Sequence, residues 1–211
     1  MKGYSRVILG NLIKKAENNP EVFSLQELQN ILSGFSCPFN NDVELFLKEK
    51  AIPFERQGIA VTHLVFASYK ERPVLVGYFT LASKYFHINL SSTKLSSNLK
   101  HRIRRFGIYD MDIRKEIITA PLIGQIGKNF ACNYNELITG AELLKIACDA
   151  VQESQAIIGG RLVYLECEDT PKLCSFYETN GFVPFGKRML EEKESRLFKG
   201  EYLVQMLRYL R

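Results

Sequence analysis

Apolar positions recur at helical spacing through the first quarter of the chain and then switch to strand-like runs. Over residues 5–18, Val7, Ile8, Leu12 and Ile13 fall on one face of an amphipathic helix that Asn18, Asn19 and Pro20 stop. Ser24 with Glu27 three residues later is a capping-box pattern, and Leu25, Leu28, Ile31 and Leu32 form the apolar stripe of a second helix ended by Gly34. Asn41 or Asp42 is expected to cap a third, with Val43, Phe46 and Leu47 inward and Lys48, Glu49 and Lys50 in water. Residues 61–67 and 74–82 are rich in β-branched and aromatic types, and Lys70-Glu71-Arg72-Pro73 between them predicts a hairpin that 86–89 prolong or follow. Residues 91–107 read as a polar connection carrying a short basic helix. A strand is predicted over 117–127, then a helix over 139–154 with Ala141, Leu144, Ala147, Cys148 and Val151 on one face. Gly159-Gly160 turns the chain into a strand at 162–167, and a strand closes the chain at 201–210. Between them lies a helix at 171–179, with Pro171 in its first turn and Gly181 just past its end.

That order is helices, hairpin, strand, helix, strand, helix, strand. A hairpin is antiparallel, whereas strand–helix–strand implies a parallel pair, so the expected class is α/β (α+β) with a mixed sheet. The expected organisation is a helical extension over 1–23 followed by one domain over 24–211.

Composition narrows the class. With 211 residues, 46% of them hydrophobic, the chain can bury a core without staples. Its five cysteines, Cys37, Cys132, Cys148, Cys167 and Cys174, are scattered and include no C-x-x-C pair, which argues for reduced thiols rather than a disulfide framework or zinc site. The three histidines, His63, His87 and His101, lack the i, i+4 spacing of a helical metal pair, so no metal is expected. No apolar run is long enough for a membrane span and no cleavage pattern follows the N-terminus, so the expectation is a cytoplasmic protein without membrane contact. A net charge of +5 suits an anionic partner such as a coenzyme, an RNA or a phosphorylated substrate.

Phe176-Tyr177-Glu178-Thr179-Asn180-Gly181-Phe182 resembles the F-Y-E-x-x-G-F signature near the end of GNAT-family N-acetyltransferases. Residues 39–51, Thr62 and Gly77-Tyr78-Phe79-Thr80-Leu81 resemble a subgroup that includes the acetyltransferase toxins of toxin–antitoxin pairs. The resemblance, which covers about residues 24–210, implies the GNAT fold and transfer of an acetyl group from acetyl-CoA to a primary amine in a direct ternary complex. It implies that the pantetheine arm pairs with the backbone of the strand over 122–129, at Gln125, Ile126, Gly127 and Lys128, where Gly127 leaves room for close approach. The family's diphosphate loop, Gln/Arg-x-x-Gly-x-Gly/Ala before a helix, aligns with Asn135-Glu136-Leu137-Ile138-Thr139-Gly140, followed by Ala141. Gly140 keeps the last glycine, but Ile138 replaces the first, Asn135 stands for the usual first residue, and Glu136 adds a negative charge. The resemblance makes Asn135, Ile138, Thr139, Gly140 and Ala141 cofactor contacts through helix-start N–H groups.

Tyr177 stands where the family tyrosine protonates the leaving thiolate, a role that suits a phenol protonated at neutral pH. Alternatively it packs beside Phe176. Glu44, Glu166 and Glu168 are candidates for the base, each also readable as a solvated carboxylate. Lys94, Lys100, His101, Arg102, Arg104 and Arg105 form a basic stretch that would receive a tRNA-linked amine or acidic acceptor, or else is a solvated face. The acceptor is open, and a homodimer is compatible with the sequence. A second reading keeps the fold but not the catalysis: a module whose decayed phosphate loop leaves it binding a protein, a nucleic acid or an acyl-CoA.

Overall fold

The structure, a computed structural model, describes residues 3–190 and 200–211. Its strands are β1 (Tyr4–Ile8), β2 (Val61–Tyr69), β3 (Arg72–Ile88), β4 (Gly107–Asp110), β5 (Lys115–Lys128), β6 (Leu162–Glu168), β7 (Val183–Met189) and β8 (Tyr202–Tyr209). The helices are α1 (Leu9–Asn18), α2 (Leu25–Ser33), α3 (Asn41–Leu45), α4 (Ala51–Arg56), α5 (Ser97–Arg104), α6 (Gly140–Ile158) and α7 (Pro171–Thr179). The eight strands form a mixed sheet in the order β1-β2-β3-β5-β6-β8-β7, with β4 paired to β5, as the hairpin and the strand–helix–strand pattern implied. The chain divides into two compact units, Met1–Ala82 with Gly124–Ala147, and Ser83–Ile123 with Cys148–Arg211.

In the first unit, β1 and β3 flank β2 in antiparallel register, with Tyr4 opposite Ala67 and Thr62 opposite Thr80. The β2–β3 hairpin turns at Lys70 and Glu71, both with positive φ (49° and 62°), as a tight hairpin turn requires. The core beneath gathers Leu9, Leu28, Leu32, Phe35, Leu47 and Tyr78 from helices, loop and strand. The Ser24–Glu27 capping box is present, with Ser24 N–H donating to Glu27 Oε2 at 2.7 Å and Glu27 N–H to Ser24 Oγ at 3.2 Å.

Two expectations are corrected here. The helix expected over 5–18 starts only at Leu9; Tyr4–Ile8 is a strand, so the N-terminal stretch is not purely helical. Val7 and Ile8 suit either state, and the edge of β2 supplied the ladder that periodicity cannot see. The carboxylate of Glu55, which accepts the N–H of Thr62 at 2.7 Å and that of Gly10, sits at the start of α1. The cap of α3 is Asn40 rather than Asn41 or Asp42, its side-chain oxygen accepting from the Val43 N–H at 3.1 Å. After α3 a π-helical turn, Phe46–Lys50, leads into α4.

In the second unit, β4 pairs antiparallel with the first half of β5, from Gly107 opposite Ile118 to Asp110 opposite Lys115. β5 then runs parallel to β6 at Leu122–Tyr164 and Ile123–Leu165, and β8 lies antiparallel between β6 and β7. The core here includes Phe86, Ile103, Ile118, Tyr164, Phe185 and Leu207. The basic helix expected within 91–107 is α5, capped by the Ser96 side chain. Two strands went unpredicted. β4 has only four residues, two of them exposed, and Asp110 ends it by accepting the N–H groups of Asp112 and Ile113. β7 carries Pro184, Gly186, Lys187 and Arg188, an edge-strand composition with a register shift between Pro184 and Gly186.

Candidate functional site

The end of β5 is tied down by side chains. The Gln125 N–H donates to Thr80 Oγ1 at 2.9 Å, and Gln125 Nε2 donates to Asp42 Oδ2 at 2.7 Å. A Cβ on Gly127 would lie 2.6 Å from Val43 Cγ1, so the space this glycine opens is filled by α3, on the face that Gln125 also shares. A Cβ on Gly77 would meet the Gly127 carbonyl at 2.9 Å, so β3 and β5 approach closely here. A ligand along Gln125–Lys128 would therefore meet backbone groups, Ile126 and Lys128. Asn129, 2% exposed, ends the strand: its Oδ1 accepts the N–H groups of Ser36 and Ala131, and its Nδ2 donates to the Leu75 carbonyl at 2.9 Å.

Beyond it, Ala131–Glu136 forms a 3₁₀ turn in which Cys132 and Asn133 have positive φ (51° and 61°). The Asn135 carbonyl accepts from Lys128 Nζ at 3.0 Å, which holds an ammonium group beside this loop. Ile138 is 1% exposed, so its side chain is core and only its backbone is offered to a ligand. Thr139 caps α6 with its own capping box: the Thr139 N–H and Oγ1 both donate to Glu142 Oε2 at 2.7 Å, and the Glu142 N–H donates to Thr139 Oγ1 at 3.1 Å. Tyr4 of β1 bonds the Leu137 carbonyl at 3.0 Å; burial, then a hydrogen bond to Glu142, raise its phenol pKa. The pattern T-x-x-E at 139–142 is the same signature read at Ser24 and was not read here.

Four N–H groups open a helix without intrahelical acceptors. At α6 the capping box takes those of Thr139 and Glu142, leaving Gly140 and Ala141 to supply the two free by helix geometry. Those two donors, the positive end of α6 and Lys128 fit a phosphate, with the Glu142 carboxylate already at the same helix end.

In the second unit, α7 is opened by Thr170, whose Oγ1 accepts from the Leu173 N–H, and by Pro171. It ends in a Schellman turn: the Phe182 N–H donates to the Tyr177 carbonyl at 3.0 Å and the Gly181 N–H to the Glu178 carbonyl at 2.9 Å. Gly181 adopts φ +82°, which favours glycine, and the Phe182 ring lies 6.0 Å from that of Tyr177. F-Y-E-T-N-G-F is thus a helix stop, with Tyr177 in the last turns of α7. Tyr177 is 7% exposed, and burial first, then the nearby Cys167 thiol, push its phenol pKa well above the ordinary value, so it stays protonated.

The carboxylates expected as bases divide. Glu44 accepts from Lys48 Nζ at 2.6 Å and from the Cys37 N–H at 2.6 Å, and these bonds lower its pKa. Glu166 is held by Arg188 Nε at 2.7 Å and Gln205 Nε2 at 2.9 Å. Glu168 ends β6, partly exposed. Of the basic stretch, Lys94, His101, Arg104 and Arg105 are exposed, Lys100 bonds the Thr93 carbonyl, and Arg102 lies 4.9 Å over the Tyr209 ring. Among the described residues no group of three acidic, Cys or His side chains could hold a metal, and no helix is long and apolar enough to cross a membrane.

No family model matches the chain, and no curated protein matches it. Solved structures do. AtaT complexed with acetyl-methionyl-tRNAfMet is 20% identical with a TM-score of 0.55, covering 82% of this chain and 85% of that one. A KacT variant is 17% identical with a TM-score of 0.55 over the same shares. The AtaTR complex bound with AcCoA is 17% identical with a TM-score of 0.53, covering 97% of this chain and 93% of that one. At such identities the likeness establishes the fold, the one that the F-Y-E-T-N-G-F resemblance implied.

Proposed function

We propose that this chain is an acyl-CoA-dependent N-acetyltransferase that transfers an acetyl group to a primary amine in a direct ternary complex. The observation that carries the reading is Tyr177: a buried phenol, kept protonated by that burial, near the end of a helix that Gly181 stops. Acetyl-CoA, when bound, supplies an acyl carbon activated by its thioester. The chain's part is to hold the pantetheine along Gln125–Lys128 and the diphosphate at Gly140 and Ala141 with Lys128. Tyr177 gives its proton to the departing sulfur. Glu44 and Glu166, already engaged by cations, are poor bases in this reading. Structures of the same fold contain acetyl-CoA and an acetylated aminoacyl-tRNA, which supports acetyl-CoA as donor and a tRNA-linked amine as acceptor. Exposed Lys94, Arg104 and Arg105 would then meet the nucleic acid backbone, and binding should weaken as salt rises.

A specific observation favours a second reading, a binding module without turnover: the Glu142 carboxylate stands where a diphosphate would. Calorimetric titration with acetyl-CoA, followed by a thiol-release assay on aminoacylated tRNAs and small amines, separates the two. The enzyme reading expects binding, a stabilisation of about 2.7 kcal/mol at roughly 100 times Kd, and thiol release that depends on acceptor. Binding without release on any acceptor supports the module; no heat and no thermal shift at millimolar ligand removes the coenzyme from both readings.

A further inference from the structure

The hairpin that opens β5 carries an apolar patch outside the core. Ile108 is 77% and Met111 81% exposed, and Tyr109 and Ile113 are exposed as well. Ile108 and Tyr109 are neighbours on β4 and point to opposite faces, so neither face of this strand is covered. Large apolar side chains scattered singly are ordinary on a surface; four within six residues form a patch. β4 is also an edge. Its ladder runs to β5, from Gly107 opposite Ile118 to Asp110 opposite Lys115, and among the described residues no strand pairs its other side. That side presents main-chain donors and acceptors to the outside. The edge strand β7 is blunted by Pro184 and a register shift; β4 has neither.

The charges around the patch sort by sign along the chain. Before β4, Arg104 ends α5 and Arg105 caps it, both exposed. Arg104 pairs with Glu116 of its own chain at 3.9 Å, whereas Arg105 lies beside His101, which offers no negative charge. After Ile108 and Tyr109 come Asp110, whose carboxylate accepts the N–H groups of Asp112 and Ile113 and so turns the chain, and Asp112, which is exposed. Lys115 lies opposite Asp110 in β5, one strand further in. A strand with cations before it and anions after it is complementary to itself when two copies run antiparallel. With Ile108 opposite Tyr109 of a second copy, Gly107 faces Asp110, and Arg105 comes across from Asp112, twice by symmetry. A nucleic acid suits this patch poorly, since Asp110 and Asp112 flank it.

We propose that β4 is a docking edge for a second copy of this chain, two β4 strands pairing antiparallel about a two-fold axis. The ladder supplies main-chain hydrogen bonds, Ile108, Tyr109 and Met111 shield them from water, and the Arg105–Asp112 pairs fix the register. Lys94 and Arg104 of the basic stretch stay outside the pairing. A four-residue edge makes a small interface, so the dimer belongs to the weak, reversible class that dissociates at micromolar concentration.

Sedimentation velocity of the full chain, freed of nucleic acid, tests this from low micromolar to a few hundred micromolar protein. The wild type should pass from the monomer mass to twice that mass across the range. Ile108→Lys sets a charge in the apolar seam and should weaken association about tenfold. Arg105→Asp and Asp112→Arg each set like charges face to face and should weaken it roughly three- to tenfold. Mixed in equal amounts, those two variants regain both attractive pairs and should associate as tightly as the wild type, a rescue that only pairing between copies gives. All three side chains are exposed, so the melting curves should stay with the wild type. A wild type that remains monomeric throughout overturns the proposal; if it pellets with anionic vesicles instead, the patch belongs to a membrane surface. A dimer that tolerates Ile108→Lys sits elsewhere on the molecule and overturns it too, as does a mixture no tighter than either variant alone.

Discussion

Two helix ends of this chain are closed by opposite means. The C-terminus of α7 is closed by the main chain: Gly181 at φ +82° lets two N–H groups return to the carbonyls of Tyr177 and Glu178. The side chains that join it, Asn180 Nδ2 to the Phe176 carbonyl at 2.7 Å and Thr179 Oγ1 to the Ser175 carbonyl at 2.8 Å, are neutral. The N-terminus of α6 is closed by a side chain: the Glu142 carboxylate takes the Thr139 N–H and hydroxyl. That closure places a negative charge at the positive end of a helix, where a coenzyme diphosphate would have to compete. A backbone closure is neutral to what binds beside it; a carboxylate closure is not.

Three variants break or sharpen this contrast. The largest effect should come from Tyr177→Phe. Losing a general acid typically lowers kcat by about 10²–10⁴-fold, and the retained ring should leave melting and coenzyme affinity near the wild type. Lost stability with an intact kcat would instead make the tyrosine a packing residue, and the neat closure of α7 would then serve only the core. Next is Gly181→Ala, which forces a side chain into the left-handed region, its Cβ 3.3 Å from Arg208 Nε. A strained φ of this kind costs on the order of 1–3 kcal/mol, and roughly 2–4 °C of Tm per kcal/mol is expected at this size. An unchanged melting curve would show that the turn at Gly181 is not what holds α7. The smallest effect belongs to Glu142→Gln. It keeps an acceptor for Thr139 but removes the charge, so coenzyme A affinity should rise by about two- to fivefold, the scale of a charge at a helix terminus, while pantetheine, which lacks the diphosphate, should bind as before. Equal coenzyme A affinity in wild type and variant would mean that Glu142 and the diphosphate do not share the helix end.

The sequence alone determined what local chemistry dictates. The capping box at Ser24, the hairpin over Lys70 and Glu71, the long helix α6 and the Gly181 stop on α7 all follow from residue types a few positions apart. The fold class followed from their order. The F-Y-E-x-x-G-F resemblance singled out Tyr177, which the structure buries near the end of α7. Where local signals were equivocal, tertiary partners decided. Tyr4–Ile8 became a strand because β2 offered an edge, and β7 formed despite Pro184 because β8 held it. Gly127 reads as room for a ligand, yet Val43 fills that room, since only the packed sheet shows which face a missing side chain opens. The T-x-x-E at 139–142 is a legible capping box that overlaps the residues aligned with a phosphate loop. The contact between Asp42 and Gln125 was not legible at all. It joins residues 83 positions apart, and neither a lone aspartate at a helix start nor a lone glutamine on a strand carries any sign of the other. Local propensity acts within a turn or two of the chain; the pairing of a buried charge is settled only when distant segments exclude water together.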